Sequence, residues 1–194
     1  MDSDGNITNY EWDFGDGSNG VGEITTHVYL FAGNYIVILR VTDDDGAQDS
    51  IFKILVVSDI LDTGPSAKLY PSIAGCHNGT IKPSNNLIIT KLYTYPCEGT
   101  GGHTEYAAIS YPNGTVLAEA YWNGYVGDWH NISFNNSFTL YANQTYNYTI
   151  RTGSYPQIIH AHECNVTGGV ITCTDFMDVN GKRYNDWIPA IKLY

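Results

Sequence analysis

From residue 35 to residue 41 the chain reads Tyr35-Ile36-Val37-Ile38-Leu39-Arg40-Val41. Tyr35, Val37, Leu39 and Val41 fall on one side, because successive side chains of a strand point to opposite faces. This pattern predicts a strand over 33–43. Similar runs predict strands over 10–14, 24–29 and 47–57. Later runs predict strands over 87–95, 104–111, 115–122, 129–134, 137–142, 145–152, 157–163, 170–176 and 187–193. No stretch carries the apolar spacing of an amphipathic helix. Gly15-Asp16-Gly17, Phe31-Ala32-Gly33 and Asp44-Asp45-Gly46 interrupt the early strands as tight turns. Pro112-Asn113-Gly114 marks a hairpin. Many short strands with Gly and Asn turns predict an all-β chain of antiparallel sandwiches.

Asp62-Thr63-Gly64-Pro65-Ser66 reads as a linker, since Gly and Pro break a strand. Two β-sandwich domains are therefore expected, 1–62 and 63–194. Charge supports the division. Residues 1–64 hold twelve acidic and two basic residues; residues 65–194 hold eight and seven. The net charge of −11 over 194 residues argues against nucleic acid, whose phosphates require Lys and Arg. No apolar run approaches the roughly 20 residues needed to span a bilayer. Met1 is followed at once by Asp2-Ser3-Asp4-Gly5, so no leader peptide is legible.

All four cysteines, Cys76, Cys97, Cys164 and Cys173, lie in the second part. They form no CxxC motif. Short intervening loops favour the disulfides Cys76–Cys97 and Cys164–Cys173, which imply an oxidising, extracellular setting. Eight N-x-S/T sequons, at Asn6, Asn78, Asn113, Asn131, Asn135, Asn143, Asn147 and Asn165, point the same way. Enrichment of Asn and Thr in turns would produce some of them without any sugar.

His160 and His162 are two apart on an expected strand, and His103 and Glu105 repeat that spacing. On neighbouring strands these four could ligate zinc or copper. Polar positions on a solvent face would give the same pattern. The clusters Asp2/Asp4 and Asp43/Asp44/Asp45 offer oxygen ligands to calcium, or simply turn chemistry. Asp175, Asp178, Asn180 and Asp186 read in the same two ways. No GxSxG, HExxH or P-loop pattern occurs, and the scattered Glu98, Glu105, Glu119 and Glu163 define no acid/base pair, so no enzyme activity is expected. The run from Tyr121 and Trp122 to Trp129 and His130 supplies rings that could stack on sugars, or pack as an ordinary core pair.

Tyr10-Glu11-Trp12-Asp13-Phe14-Gly15-Asp16-Gly17, His27-x-Tyr29 and the strand from Gly33 to Asp43 closed by Asp45-Gly46 resemble the PKD domain over residues 2–57. The resemblance implies an immunoglobulin-like sandwich, with Trp12 and Phe14 inward and Asp13 outward. The family's first strands are missing ahead of the motif. The resemblance therefore implies an N-terminally incomplete domain with an open sheet edge, a template for pairing with another chain. Residues 92–106, 127–130 and 149–157 resemble modules that accompany PKD domains in archaeal surface proteins. That resemblance implies location rather than chemistry. Together these readings predict an extracellular structural or adhesion protein of a surface layer, sheath or filament. Its partners would be further copies or other surface proteins. A carbohydrate- or metal-binding module of a secreted protein is the alternative.

Overall fold

The computed structural model describes residues 5–57, 59–124 and 128–194. It divides into two compact units, Met1–Val57 and Ser58–Tyr194. The second unit begins before the expected boundary at 62/63. Leu61 is fully buried in it, and the strand Leu61–Asp62 pairs with the last strand of the chain. The Gly-Pro segment thus lies inside the second unit.

The first unit holds β1 (Ile7–Asp13), β2 (Asn19–Val21), β3 (Gly33–Asp43) and β4 (Gln48–Val57). They form one antiparallel sheet of order β2-β1-β3-β4. The register places Trp12 beside Leu39, which faces Ile51, and Tyr35 beside Leu55. Trp12, Val37, Leu39, Ile51 and Leu55 line a hollow of about 360 Å³ that is open to solvent. The expected strand over 24–29 is irregular. It carries His27 and Tyr29 into an aromatic cluster instead. Phe14 stacks on His27 with centroids 4.2 Å apart, and Tyr29 packs against both His27 and Tyr35. The Tyr29 hydroxyl donates to Phe14 O at 2.8 Å.

That cluster explains the signature residues. Phe14 is buried, Trp12 is half-buried and Asp13 is exposed. Trp12 Nε1 donates to Gly22 O. Asp13 Oδ1 accepts from Gly15 N, and Asp16 Oδ1 from Ser18 N, so both acids shape the turn. Gly15 has φ +77, and a Cβ there would lie 2.9 Å from Ile36 N, a placement only glycine tolerates. The His27 ring, 2.6 Å away, holds the Asp16 carboxyl below the usual carboxylate range.

The second unit contains β5 (Leu61–Asp62), β6 (Gly75–Pro83), β7 (Leu87–Thr94), β8 (His103–Ser110), β9 (Val116–Tyr121), β10 (Asn131–Leu140) and β11 (Tyr146–Gly153). It continues with β12 (Ile158–His160), β13 (Glu163–Val166), β14 (Gly169–Thr172), β15 (Asp175–Asp178), β16 (Arg183–Tyr184), β17 (Trp187–Pro189) and β18 (Ile191–Leu193). One path runs β13-β14-β6-β11-β8-β9-β10-β7-β18-β5, with β15 also on β6 and β16 on β15; β12 and β17 pair separately. The expected strands over 129–134 and 137–142 are a single strand, β10. Both of its halves pair β7, Phe134 also pairs Ala120 of β9, and the β7 register shifts between Ser133 and Phe138.

Alternation builds the core. Tyr146, Tyr148 and Ile150 of β11 point inward with Ile81, Ala107 and Ile109, and meet Leu87, Ile89, Leu92, Ile191 and Leu193 in one cluster. Strand β6 escaped the sequence reading, although it pairs β11, β14 and β15. Its inward positions are Gly75, His77, Gly79, Ile81 and Pro83. A Cβ on Gly79 would come within 2.6 Å of the Tyr148 hydroxyl oxygen, so the glycine makes room for that ring. His77 is enclosed. Its Nδ1 donates to Trp187 O at 3.1 Å, and burial pushes its pKa down to about 4.

Candidate functional site

Outward positions of five strands form continuous rows across the second unit. Pairing registers align Tyr121 (β9), Tyr106 (β8), Arg151 (β11), Cys76 (β6) and Met177 (β15) in one row. The next row aligns Glu119, Ala108, Thr149, Asn78 and Asp175. Directly opposed side chains in adjacent strands share a face and interact.

The rows are tied together by polar contacts. Tyr106 donates its hydroxyl to Glu119 Oε1 at 2.5 Å. That bond, with partial burial, pushes the Tyr106 phenol up to about 12. The Tyr106 and Tyr121 rings lie 5.0 Å apart at 53°. Tyr121 is 64% exposed, so its ring is offered to solvent. Arg151 Cζ lies 5.8 Å from the Tyr106 centroid, and Arg151 Nε is 3.3 Å from Glu105 Oε2. Thr149 donates to Asn78 Oδ1, and Arg183 forks onto both oxygens of Asp175 at 2.8 and 2.7 Å.

Beyond Arg151 the face dips into a groove of about 440 Å³ lined by Gly75, Cys76, Glu105, Gly153 and Met177. Gly153 forms its floor: a Cβ there would sit 2.6 Å from His103 Nε2 and 3.0 Å from Glu105 Oε1.

The structure separates the expected metal ligands. His103 and Glu105 meet at Gly153, but β8 lies between β11 and β9, whereas β12 pairs β17 in a separate sheet. His160 faces Pro71 O and lies edge-on to Trp187. The chain bends after it, Ala161 N bonding Ile159 O, so His162 does not share its face and reaches Asn185 O instead. Among the described residues no three His, Cys, Asp or Glu side chains gather as a metal group. Of the acidic clusters, Asp2 and Asp4 lie outside the described residues. Asp43 Oδ1 accepts from Asp45 N and Ala47 N, and Asp178 Oδ1 from Asn180 N and Lys182 N, so both serve turns.

All four cysteines are free thiols, so the expected disulfides are not formed. Cys76 sits on the outward row, and Cys97 Sγ reaches Leu69 O and Pro156 O. In the β13–β14 hairpin Cys164 opposes Ile171, not Cys173, which lies in the core. Burial pushes the Cys76 and Cys173 thiols up.

The sequons fall into two groups. Asn6, Asn113, Asn135, Asn143 and Asn165 are exposed; Asn78, Asn131 and Asn147 are half-buried in strands. Within the aromatic run, Trp122 is half-buried and stacks on His103, with centroids 3.9 Å apart. Trp129 is 41% exposed and donates to His130 Nε2. Residues 125–127 lie outside the described residues. Sequence reasoning assigned no role to Tyr106 or Arg151. Their outward phase on β8 and β11 was a usable signal, but their juxtaposition depends on register.

Residues 1–57 match the family model of the PKD domain. Among relatives, a pre-pro-metalloprotease PrtV of Vibrio cholerae serotype O1 is 51% identical over 49 residues, 25% of this chain and 5% of that protein. Collagenase ColA of Clostridium perfringens is 48% identical over 59 residues, 30% of this chain and 5% of that protein. A microbial collagenase of Vibrio alginolyticus is 40% identical over 57 residues, 29% of this chain and 7% of that protein. The chain thus spans a small fraction of the relatives it matches. A solved chain from work on the promiscuous specificity of carbohydrate-binding modules of the β-sandwich superfamily is 18% identical. It covers 97% of this chain and 88% of that one, with a TM-score of 0.29, a likeness that carries no argument about function. Among the described residues no helix is long and apolar enough to cross a membrane.

Proposed function

We propose that this chain is an extracellular, non-catalytic attachment protein whose second unit binds carbohydrate on the outward face of β6, β8, β9, β11 and β15. The observation that carries the reading is the Tyr121–Tyr106 pair in one row with Arg151 and flanked by Glu119 and Glu105. An exposed ring offers an apolar face to the C–H side of a sugar while its hydroxyl stays wet. Guanidinium and carboxylate groups supply directed hydrogen bonds to hydroxyls. The extracellular setting is supported by the PKD match and by the five exposed sequons. Retardation of the protein in gels containing polysaccharide tests the reading. Binding lost in Tyr121→Ala is expected; no retardation by any polysaccharide would overturn it.

A second reading, a subunit of a surface layer, sheath or filament, is favoured by the apolar face of the first unit. There Ile51 is 70% exposed beside Leu39 and Trp12. A face of that kind is covered by another surface in most proteins. Light scattering of the native protein should then show assemblies that Ile51→Asp disperses; a monomer at all concentrations would remove this reading.

A further inference from the structure

Resting on the carbohydrate-binding reading above, we propose that the ligand is an uncharged polysaccharide chain lying across the strands, from Tyr121 to the groove beside Gly153. Two features of the face select such a ligand.

The first is shape. The row from Tyr121 to Met177 crosses four strand spacings, about 19 Å at roughly 4.8 Å each. That is longer than one sugar ring and suits a chain. Ala108, second in the neighbouring row, raises no bulk between Glu119 and Thr149. At the far end Gly153 leaves the groove without a side chain at that position. The groove volume falls within the range of about 300–1,000 Å³ common to ligand sites.

The second is charge. The face carries Arg151 and Arg183 against Glu105, Glu119 and Asp175. Each arginine already has a carboxylate within it, at 3.3 Å for Arg151 and 2.7 Å for Arg183. An anionic sugar would have to displace Glu105 or Asp175 and then meet the displaced carboxylate as a like charge. A neutral sugar meets the same groups as hydrogen-bonding partners and leaves the pairs intact. Its binding is correspondingly insensitive to salt, which weakens attraction only between charges.

Affinity electrophoresis with glucomannan and xyloglucan as neutral probes, and polygalacturonate and alginate as anionic probes, tests this. The neutral probes should bind with affinities that change less than about twofold between about 0.05 M and about 0.5 M salt. The anionic probes should bind more weakly by about tenfold or more, a difference of about 1.4 kcal/mol. Glu105→Gln should narrow that gap, and Tyr121→Ala should abolish binding. Tyr141→Ala, exposed in the β10–β11 turn, should bind as the parent does. Stronger, salt-sensitive binding of the anionic probes would overturn this inference and leave the carbohydrate reading standing. Binding of neither class would overturn both.

Discussion

The Tyr106 hydroxyl donates to Glu119 Oε1 from the adjacent strand, diagonally across the β8–β9 pair. The bond holds the Tyr106 ring in place beside Tyr121, and the carboxylate disfavours a phenolate there. Tyr106 should therefore ionise only near pH 12. Ultraviolet titration of the parent against Tyr106→Phe should show the variant lacking one of the late-titrating phenols. Glu119→Gln should bring that phenol back toward its ordinary value near 10. Losing the bond should also weaken carbohydrate affinity several-fold, since a typical net hydrogen bond contributes about 1 kcal/mol.

His77 is the enclosed counterpart of these surface groups, stacked on Phe176 with centroids 4.2 Å apart. Burial lowers its pKa from 6.5 to about 4. Between those values the unfolded chain binds a proton that the folded chain refuses. The second unit should then lose stability as pH falls from about 6.5 and level off for this group below about 4. The full span corresponds to roughly 3 kcal/mol. Urea midpoints measured across this range should fall in the parent, and His77→Gln should flatten that part of the profile.

Gly79 is the position where the core leaves least room. A Cβ would press on Thr172 O of β14 and the Tyr148 ring of β11. Gly79→Ala should destabilise the protein by about 1–3 kcal/mol, the usual cost of overpacking. A denaturation midpoint equal to the parent's would show that β6 and β11 move apart freely.

Accessibility should sort the sequons. Asn131 is held from both sides, its Nδ2 bonding Asp128 and its Oδ1 accepting from Tyr194. Asn78 is occupied with Thr149 in the sheet. Peptide mass spectrometry of protein from a glycosylating host should find sugar at Asn6, Asn113, Asn143 and Asn165, and none at Asn78 or Asn131. A sugar on Asn78 would also cover the proposed carbohydrate face.

Much of the chain was legible because its signals are local. Strand β3 runs over the expected residues 33–43, where Tyr35, Val37, Leu39 and Val41 share one face. The Pro112-Asn113-Gly114 hairpin forms as expected: Gly114 takes φ +86, and Asn113 Oδ1 accepts from Thr115 N. The PKD signature was readable for the same reason, since its turns are built from side chains one to four residues apart. Strand β6 was not legible. Gly75, Asn78, Gly79 and Pro83 look like turn residues, yet two of those glycines are demanded by the rings of Phe176 and Tyr148, far along the chain.

By itself, the order of residues determined that this protein is all-β, where most of its strands lie, and that its first unit carries a PKD signature. Tertiary structure alone decided that Tyr121, Tyr106, Arg151, Cys76 and Met177 stand in one row, and that His160 and His162 part company. Strand periodicity is a local consequence of backbone geometry, and the sequence displays it. Register and strand order are settled by packing between distant segments, so the face they create exists only once the sheet has closed.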